Sequence, residues 1–310
     1  MRAFRIPLRT RFRRVDAREG VLLEGAAGWG EFSPFPEYAP DVCARWWAAA
    51  VEAATSSFPI PLRDRIPVNA TVPAVAPDQA AAIVRASGCR TAKVKVAEPG
   101  QGEADDLGRV EAVRDALGPS GRLRVDANGA WDVDTAVRRI RLLDRFELEY
   151  AEQPCATLPE LAAVRRRVDV PLAADESVRT AADPLRVAGL EAADIVVLKV
   201  QPLGGVAAAL AVAEAAGLPT VVSSAVETSI GLAAGVALAA ALPDLPYACG
   251  LGTAVLLAGD VVTDPLVPVD GELAVRRPLV DPDALARWTP GEAEARRLCA
   301  RAQAAAGARR

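Results

Sequence analysis

The sequence predicts an α/β fold: a closed parallel barrel of the TIM type with a smaller α+β capping domain against it. Three observations carry this. From Val68 onward, short apolar strands alternate with alanine-rich helical stretches, which implies βαβ units and a parallel sheet. The polar anchors Lys95, Asp126, Glu152, Asp175, Lys199 and Ser223 recur at roughly the length of one βα unit. Residues 1 to about 60 lack this rhythm.

In the N-terminal part, REGVLLEGAAGWGEFSPFPEY reads as strand, turn, strand and a loop rich in Gly, Pro and aromatics. Asp41 to Ser56 reads as a helix with Ala and Trp on its apolar face, and PIPLRDRIP as a linker. The expected capping domain is residues 1–62, completed by about 262–310, and the barrel is 63–261. Its strands read PVNATVP, TAKVKV, LRVDAN, LEYAEQP, PLAADES, DIVVLKV, PTVVSSAV and YACGLGT. Helices are expected between them, at Glu103–Leu117, Val133–Arg145, Leu158–Arg167, Gly204–Ala216 and Ser229–Leu242. Eight strands favour a closed barrel, and the lack of GxGxxG after the first weakens a dinucleotide-binding sheet. Val267 to Arg277 reads as a hairpin around Asp270-Gly271, and Gly291 to Ala306 as a last helix.

Composition narrows the chemistry. With 310 residues, half of them hydrophobic and a quarter charged, the chain is globular. A net charge of −4 and only short arginine clusters (Arg11, Arg13, Arg14; Arg165 to Arg167) do not suggest nucleic acid. Five scattered cysteines with no CxxC argue against a disulfide framework or a zinc site. The start lacks an apolar signal region and Ile230–Leu242 is too short to span a bilayer, so the expected compartment is the cytoplasm, with no membrane partner. Histidine is absent, which leaves acid–base work to Lys, Asp, Glu, Cys or Tyr.

Strand side chains alternate between faces. Lys93 and Lys95 therefore share one face of TAKVKV, and Val94 and Val96 the other. The valines suit the helix side and the lysines the barrel axis. The same rule groups Arg124, Asp126 and Asn128. Asp126, Glu152 and Asp175 end the third, fourth and fifth strands, so barrel geometry brings them together. Three converging carboxylates repel unless a cation or a lysine network neutralises them. All-oxygen ligands favour Mg²⁺, or Mn²⁺. Lys199 ends the sixth strand, across the mouth from Lys95. Desolvation and nearby positive charge make such lysines bases, suited to taking a proton from a carbon beside a carboxylate. Trp29, Phe32, Phe35 and Tyr38 suit a lid or the packing of the small domain. Ser223, Ser224 and Gly250 suit an anionic substrate group or ordinary turns.

The KxK of TAKVKV, the DAN of LRVDANGAW, the EQP of LEYAEQP, the DES of PLAADES and the lysine of VVLKVQPLGG match, in order and spacing, the enolase superfamily. The resemblance covers nearly the whole chain. It implies a (β/α)7β barrel with an α+β cap, a metal on Asp126, Glu152 and Asp175, and Lys95 and Lys199 at the reacting carbon. PVNATVPAV, SSAVETSIG and GLGT further resemble the o-succinylbenzoate synthase family of menaquinone biosynthesis. That resemblance implies dehydration of a cyclohexadiene carboxylate, with Lys95 as base and Lys199 protonated beside the enediolate. It places Ser223, Ser224 and Gly250 at the succinyl end, with Lys93, Arg124 and Asn128 as further substrate-side or orienting groups. The arginine-rich start, Arg9 to Arg14, corresponds to a first capping loop. An N-succinylamino acid racemase or dipeptide epimerase would use the same two lysines, and a non-catalytic barrel is the remaining alternative.

Overall fold

The computed structural model describes residues 1–13, 15–178 and 183–308; Arg14 of the arginine-rich start lies outside them. Three antiparallel strands open the chain: β1 (Arg2–Phe12), β2 (Val15–Gly25) and β3 (Gly28–Phe32), paired in that order. Here the structure corrects the sequence reading. The arginine-rich start is mostly strand, because its residues alternate: Phe4 and Ile6 are buried while Arg5 and Arg9 point outward. Among its described residues Arg13, at φ 49°, belongs to the turn. Helix α1 (Pro40–Thr55) starts on a proline suited to a first helical position and buries Cys43, Trp46, Ala50 and Ala54 along one stripe.

The chain then runs through β4 (Arg65–Pro67), β5 (Ala70–Val72), α2 (Pro77–Ser87), β6 (Thr91–Lys95), α3 (Glu103–Leu117), β7 (Arg122–Asp126), α4 (Val133–Leu143) and β8 (Leu148–Glu152). It continues through α5 (Leu158–Arg165), β9 (Leu172–Ala174), α6 (Asp183–Gly189), β10 (Ile195–Leu198), α7 (Val200–Leu203), α8 (Val206–Ala216), β11 (Thr220–Val222) and α9 (Ser229–Ala241). Last come β12 (Glu272–Ala274), α10 (Pro282–Trp288) and α11 (Glu292–Gly307).

Strands β5 to β11 form one parallel sheet of seven in chain order. The expected eighth strand, YACGLGT, is not a regular strand. Instead Cys249 bridges to Val68 and Gly250 to Ser223, so two residues join the two edges of the sheet and close the barrel. The amides of Asn69 and Ser224 donate to the Cys249 and Gly250 carbonyls, and the Gly250 amide donates to Val222. Gly250 permits this approach, since a Cβ there would lie 2.5 Å from Ser223 Oγ.

Two layers of core follow from strand alternation. Val94, Val96 and Val125 face the helices in the large outer core. Tyr150, Ala173, Ile195, Val197 and Val221 fill the barrel interior. Helix α9 is buried on nearly every side. The expected hairpin is mostly an interstrand pair: β12 runs antiparallel to β4, and only Val269 and Glu272 pair across the tight turn. Asp270 and Gly271 both take positive φ there, at 51° and 77°. Leu298, Ala302 and Ala305 of α11 join Trp46 and Phe35 in the cap's own core. Among the described residues no helix is long and apolar enough to cross a membrane.

Candidate active site

Strand register builds the site. Lys95 of β6 lies opposite Asp126 of β7, which lies opposite Glu152 of β8. Asp175 comes just after β9, and Lys199 just after β10. Inward-facing side chains at the strand ends thus meet at one end of the barrel. Two short motifs fix the local backbone. Asn128 takes φ 47°, a left-handed conformation that Asn tolerates, and its amide donates to Asp126 Oδ1 at 2.9 Å. Gln153 accepts the amides of Asp175 (2.9 Å) and Ser177 (3.3 Å) on its Oε1, tying the end of β8 to the residues after β9.

The lysines hold the carboxylates apart. Lys93 donates to Glu152 Oε1 at 2.7 Å and lies 3.3 Å from Asp126 Oδ2. Lys95 donates to the same Asp126 oxygen at 2.5 Å and to Asn128 Oδ1 at 2.8 Å. Lys199 donates to Asp175 Oδ2 at 2.5 Å. All three carboxylates are buried. Burial and the neighbouring Asp126 charge push Glu152 up to about 7, against the pull of Lys93. For Asp126 burial pushes upward too, but Lys95 and Lys93 together hold it well below the ordinary carboxylate range. Burial works against the Lys93 ammonium, yet Glu152 and Asp126 carry its pKa above the usual lysine value.

In this arrangement the carboxylates face ammonium groups, and no three Asp, Glu, Cys or His side chains among the described residues form a ready cation cage. The donor set nonetheless fits a hard divalent ion in kind. It is all oxygen, and the buried Glu152 Oε2 has no hydrogen-bond partner. Asp126, Glu152 and Asp175 are the residues that would hold such an ion, which would offset their mutual repulsion.

A small cavity of about 30 Å³ is lined by Phe12, Arg13, Phe35, Thr71, Lys93, Lys95, Asn128, Lys199, Ser223, Ser224, Val226, Gly250 and Thr253, among others. It therefore gathers Lys93, Lys95, Asn128, Lys199, Ser223, Ser224, Gly250 and Phe35 from the sequence reading. Ser224 Oγ bonds Thr253 Oγ1 at 2.7 Å, and Ser223 Oγ lies 3.5 Å from the Gly250 carbonyl. An outer cavity of about 550 Å³ shares Arg13 and Asn128 with it.

Several expected residues lie elsewhere. Arg124 is two residues before Asp126, one layer deeper, and is fully buried. It donates to Glu149 (2.5 Å) and to the Ala248 carbonyl (2.7 Å) and stacks over Tyr150, so it plugs the barrel and does not line the cavity. Phe32 packs edge-on against Trp47 inside the cap, and Trp29 joins a separate cluster with Phe4 and Leu257. Tyr38 stands behind the cavity wall, accepting from Arg13 Nη2 at 3.2 Å. Phe12, Arg13, Thr71, Val226 and Thr253 escaped sequence reasoning. Alternation in NATVP would have turned Thr71 inward, while Phe12 and Arg13 reach the site only because β1 and β2 form a hairpin over it.

Two family models match the chain: "Enolase N-terminal domain-like" over residues 3–54 and "Enolase C-terminal domain-like" over residues 76–282. An o-succinylbenzoate synthase of Thermobifida fusca is 71% identical over 303 residues, covering 97% of this chain and 96% of its own. One from Mycolicibacterium smegmatis is 56% identical, over 91% and 87%. The fold also resembles solved structures. Muconate lactonizing enzyme of Pseudomonas fluorescens superposes with a TM-score of 0.80 at 22% identity, covering 93% of this chain and 97% of that one. The L-Ala-D/L-Glu epimerase of Bacillus subtilis gives 0.75 at 22%, over 90% and 95%.

Proposed function

Since this chain belongs to the enolase superfamily, together with the o-succinylbenzoate synthases, we propose that it dehydrates 2-succinyl-6-hydroxy-2,4-cyclohexadiene-1-carboxylate to 2-succinylbenzoate in menaquinone biosynthesis. It is a lyase. The observation that carries this reading is that Lys95 and Lys199 face one cavity, each bonded to a carboxylate among Asp126, Glu152 and Asp175. A hard divalent ion, Mg²⁺ or Mn²⁺, held by those carboxylates supplies a Lewis acid for the negative charge that develops on the substrate carboxylate.

The residues divide the remaining work. Lys95 Nζ takes the proton from the ring carbon bearing the carboxylate. The electron pair released moves into the substrate carboxylate as an enediolate, then returns to form the new ring double bond as the C–O bond to the hydroxyl breaks. Lys95 returns its proton to that oxygen, which leaves as water, and the ring becomes aromatic. Lys199, held by Asp175, keeps its proton and stabilises the enediolate from the far side. Ser223, Ser224 and Gly250, which line the same cavity, would meet the succinyl end, and Asn128, which accepts from Lys95, would orient it. Phe12 and Phe35 shed water from the cavity. A small-molecule carboxylate is the partner this site calls for, in the cytoplasm.

The test is to add the cyclohexadiene carboxylate with Mg²⁺ and follow its ultraviolet spectrum, with and without EDTA. Conversion to the aromatic product that stops on chelation is expected; an unchanged spectrum would overturn the reading. Incubating N-succinyl amino acids in D₂O separates the racemase alternative, which would wash deuterium into the α-position.

A further inference from the structure

The segment between β11 and α9 carries Ser223 and Ser224, and it is held from the cap. Val226 takes φ 62°, a conformation that a β-branched residue rarely adopts. Its carbonyl accepts from Arg18 Nε at 3.2 Å, and its amide donates to Ser224 Oγ at 3.3 Å. Arg18 is fully buried in β2, and its guanidinium lies 4.1 Å from the centre of the Phe35 ring while donating to the Ser33 carbonyl. Glu227 folds back to accept the Ala225 amide at 2.7 Å.

A second cap residue, Glu31 of β3, holds the next stretch. The first turn of α9 leaves its amides without helical partners. The Ser229 amide goes to Asp260, the Ile230 amide to Thr228 Oγ1, and the Gly231 amide to Glu31 Oε2 at 3.1 Å. Glu31 also accepts from the Thr228 amide (3.1 Å) and from Ser33 Oγ (2.6 Å). Two buried cap residues thus grip residues 226–231 from one side while the barrel holds Ser223 from the other.

We propose that Arg18 is a positioning residue: it holds Val226 in its left-handed conformation, with Glu31 as second anchor, so that Ser223 and Ser224 face the substrate. Docking of the cap and completion of the substrate's anionic subsite are then one event. This rests on the dehydration reading above. Phe35 and Val226, which line the cavity and are both contacted by Arg18, would shift with it.

The experiment compares Arg18→Lys, Val226→Gly and the double variant in steady-state dehydration, with hydrogen exchange of residues 223–231 in the ligand-free protein. Arg18→Lys keeps the charge but loses the guanidinium's reach, so KM should rise about tenfold while kcat stays within about threefold. Glycine adopts the required φ freely, so the double variant should return KM to within about threefold of Val226→Gly alone. Exchange should quicken over 223–231 in Arg18→Lys and not in α3. A purely structural Arg18 would lower the melting point without this rescue, and an unrescued KM or unchanged exchange overturns the proposal. If the wild-type protein fails to dehydrate the substrate, the functional reading falls, and the exchange comparison still decides whether Arg18 holds the segment.

Discussion

Lys93 Nζ stands 2.7 Å from Glu152 Oε1 and 3.3 Å from Asp126 Oδ2, bridging two buried carboxylates on neighbouring strands. Removing that ammonium takes the bonded cation from buried Glu152, while Asp126 keeps Lys95. Lys93→Met is expected to cost about 3 kcal/mol in chelator, as breaking a buried ion pair does. Millimolar Mg²⁺ should raise its melting midpoint more than it raises the wild type's. A cation that moves neither midpoint would count against the carboxylates as its seat.

Lys199 differs from Lys95 in its partner. It donates to Asp175 Oδ2, whereas Lys95 donates to Asp126 Oδ2. As a fixed charge it should matter for kcat. Lys199→Ala is expected to lower kcat by about 10²–10³ with the fold retained by circular dichroism. A kcat within threefold of wild type would remove Lys199 from the chemistry.

Arg124 provides the reverse case. Its side chain fills the barrel interior beneath the site, bonded to Glu149 and the Ala248 carbonyl. Arg124→Ala should cost about 3 kcal/mol of stability in denaturant titration, since it empties a buried position and strands Glu149. For the protein that remains folded, kcat should change little. A large kcat loss with unchanged stability would restore Arg124 to the substrate side.

Position in the sequence and position in the barrel are thus different kinds of information. The period-two rule turned Lys93, Lys95, Arg124 and Asp126 to one face, and the strand register agrees with it. It could not say how deep each lies, which is why Arg124 read as a site residue. The βα rhythm was legible because each unit is local. Closure by Cys249 and Gly250 was not, because it depends on two bridges between distant segments. Phe12 and Arg13 were hidden for the same reason: only the pairing of β1 with β2 carries them over the cavity. Phe32 ends β3 and Phe35 stands three residues on; both pack in the cap's core, yet Phe35 alone of the two also lines the site.

Glu31 sets a pH dependence. Burial pushes its carboxyl up to about 7, against the hydrogen bonds from Ser33 and Thr228; the neighbouring Glu227 adds to the rise and Arg18 opposes it. The folded protein therefore binds this proton more tightly than the unfolded chain. The stability it contributes is present in full below the unfolded carboxyl's pKa near 4.5 and is lost as pH rises through 7. The loss should be on the order of 3 kcal/mol across that window. Glu31→Gln resembles the protonated form and should show a flatter profile in urea unfolding between pH 5 and about 8. Parallel profiles for the two proteins would contradict this assignment.

The central claim is that Lys95 moves the proton. The direct measurement is the single-turnover rate of dehydration with saturating Mg²⁺ for wild type and Lys95→Ala, both shown to be folded. The wild type should convert the substrate, and the variant should be slower by about 10³-fold or more, as the loss of a general base implies. A Lys95→Ala protein that dehydrates within tenfold of the wild-type rate would contradict the account.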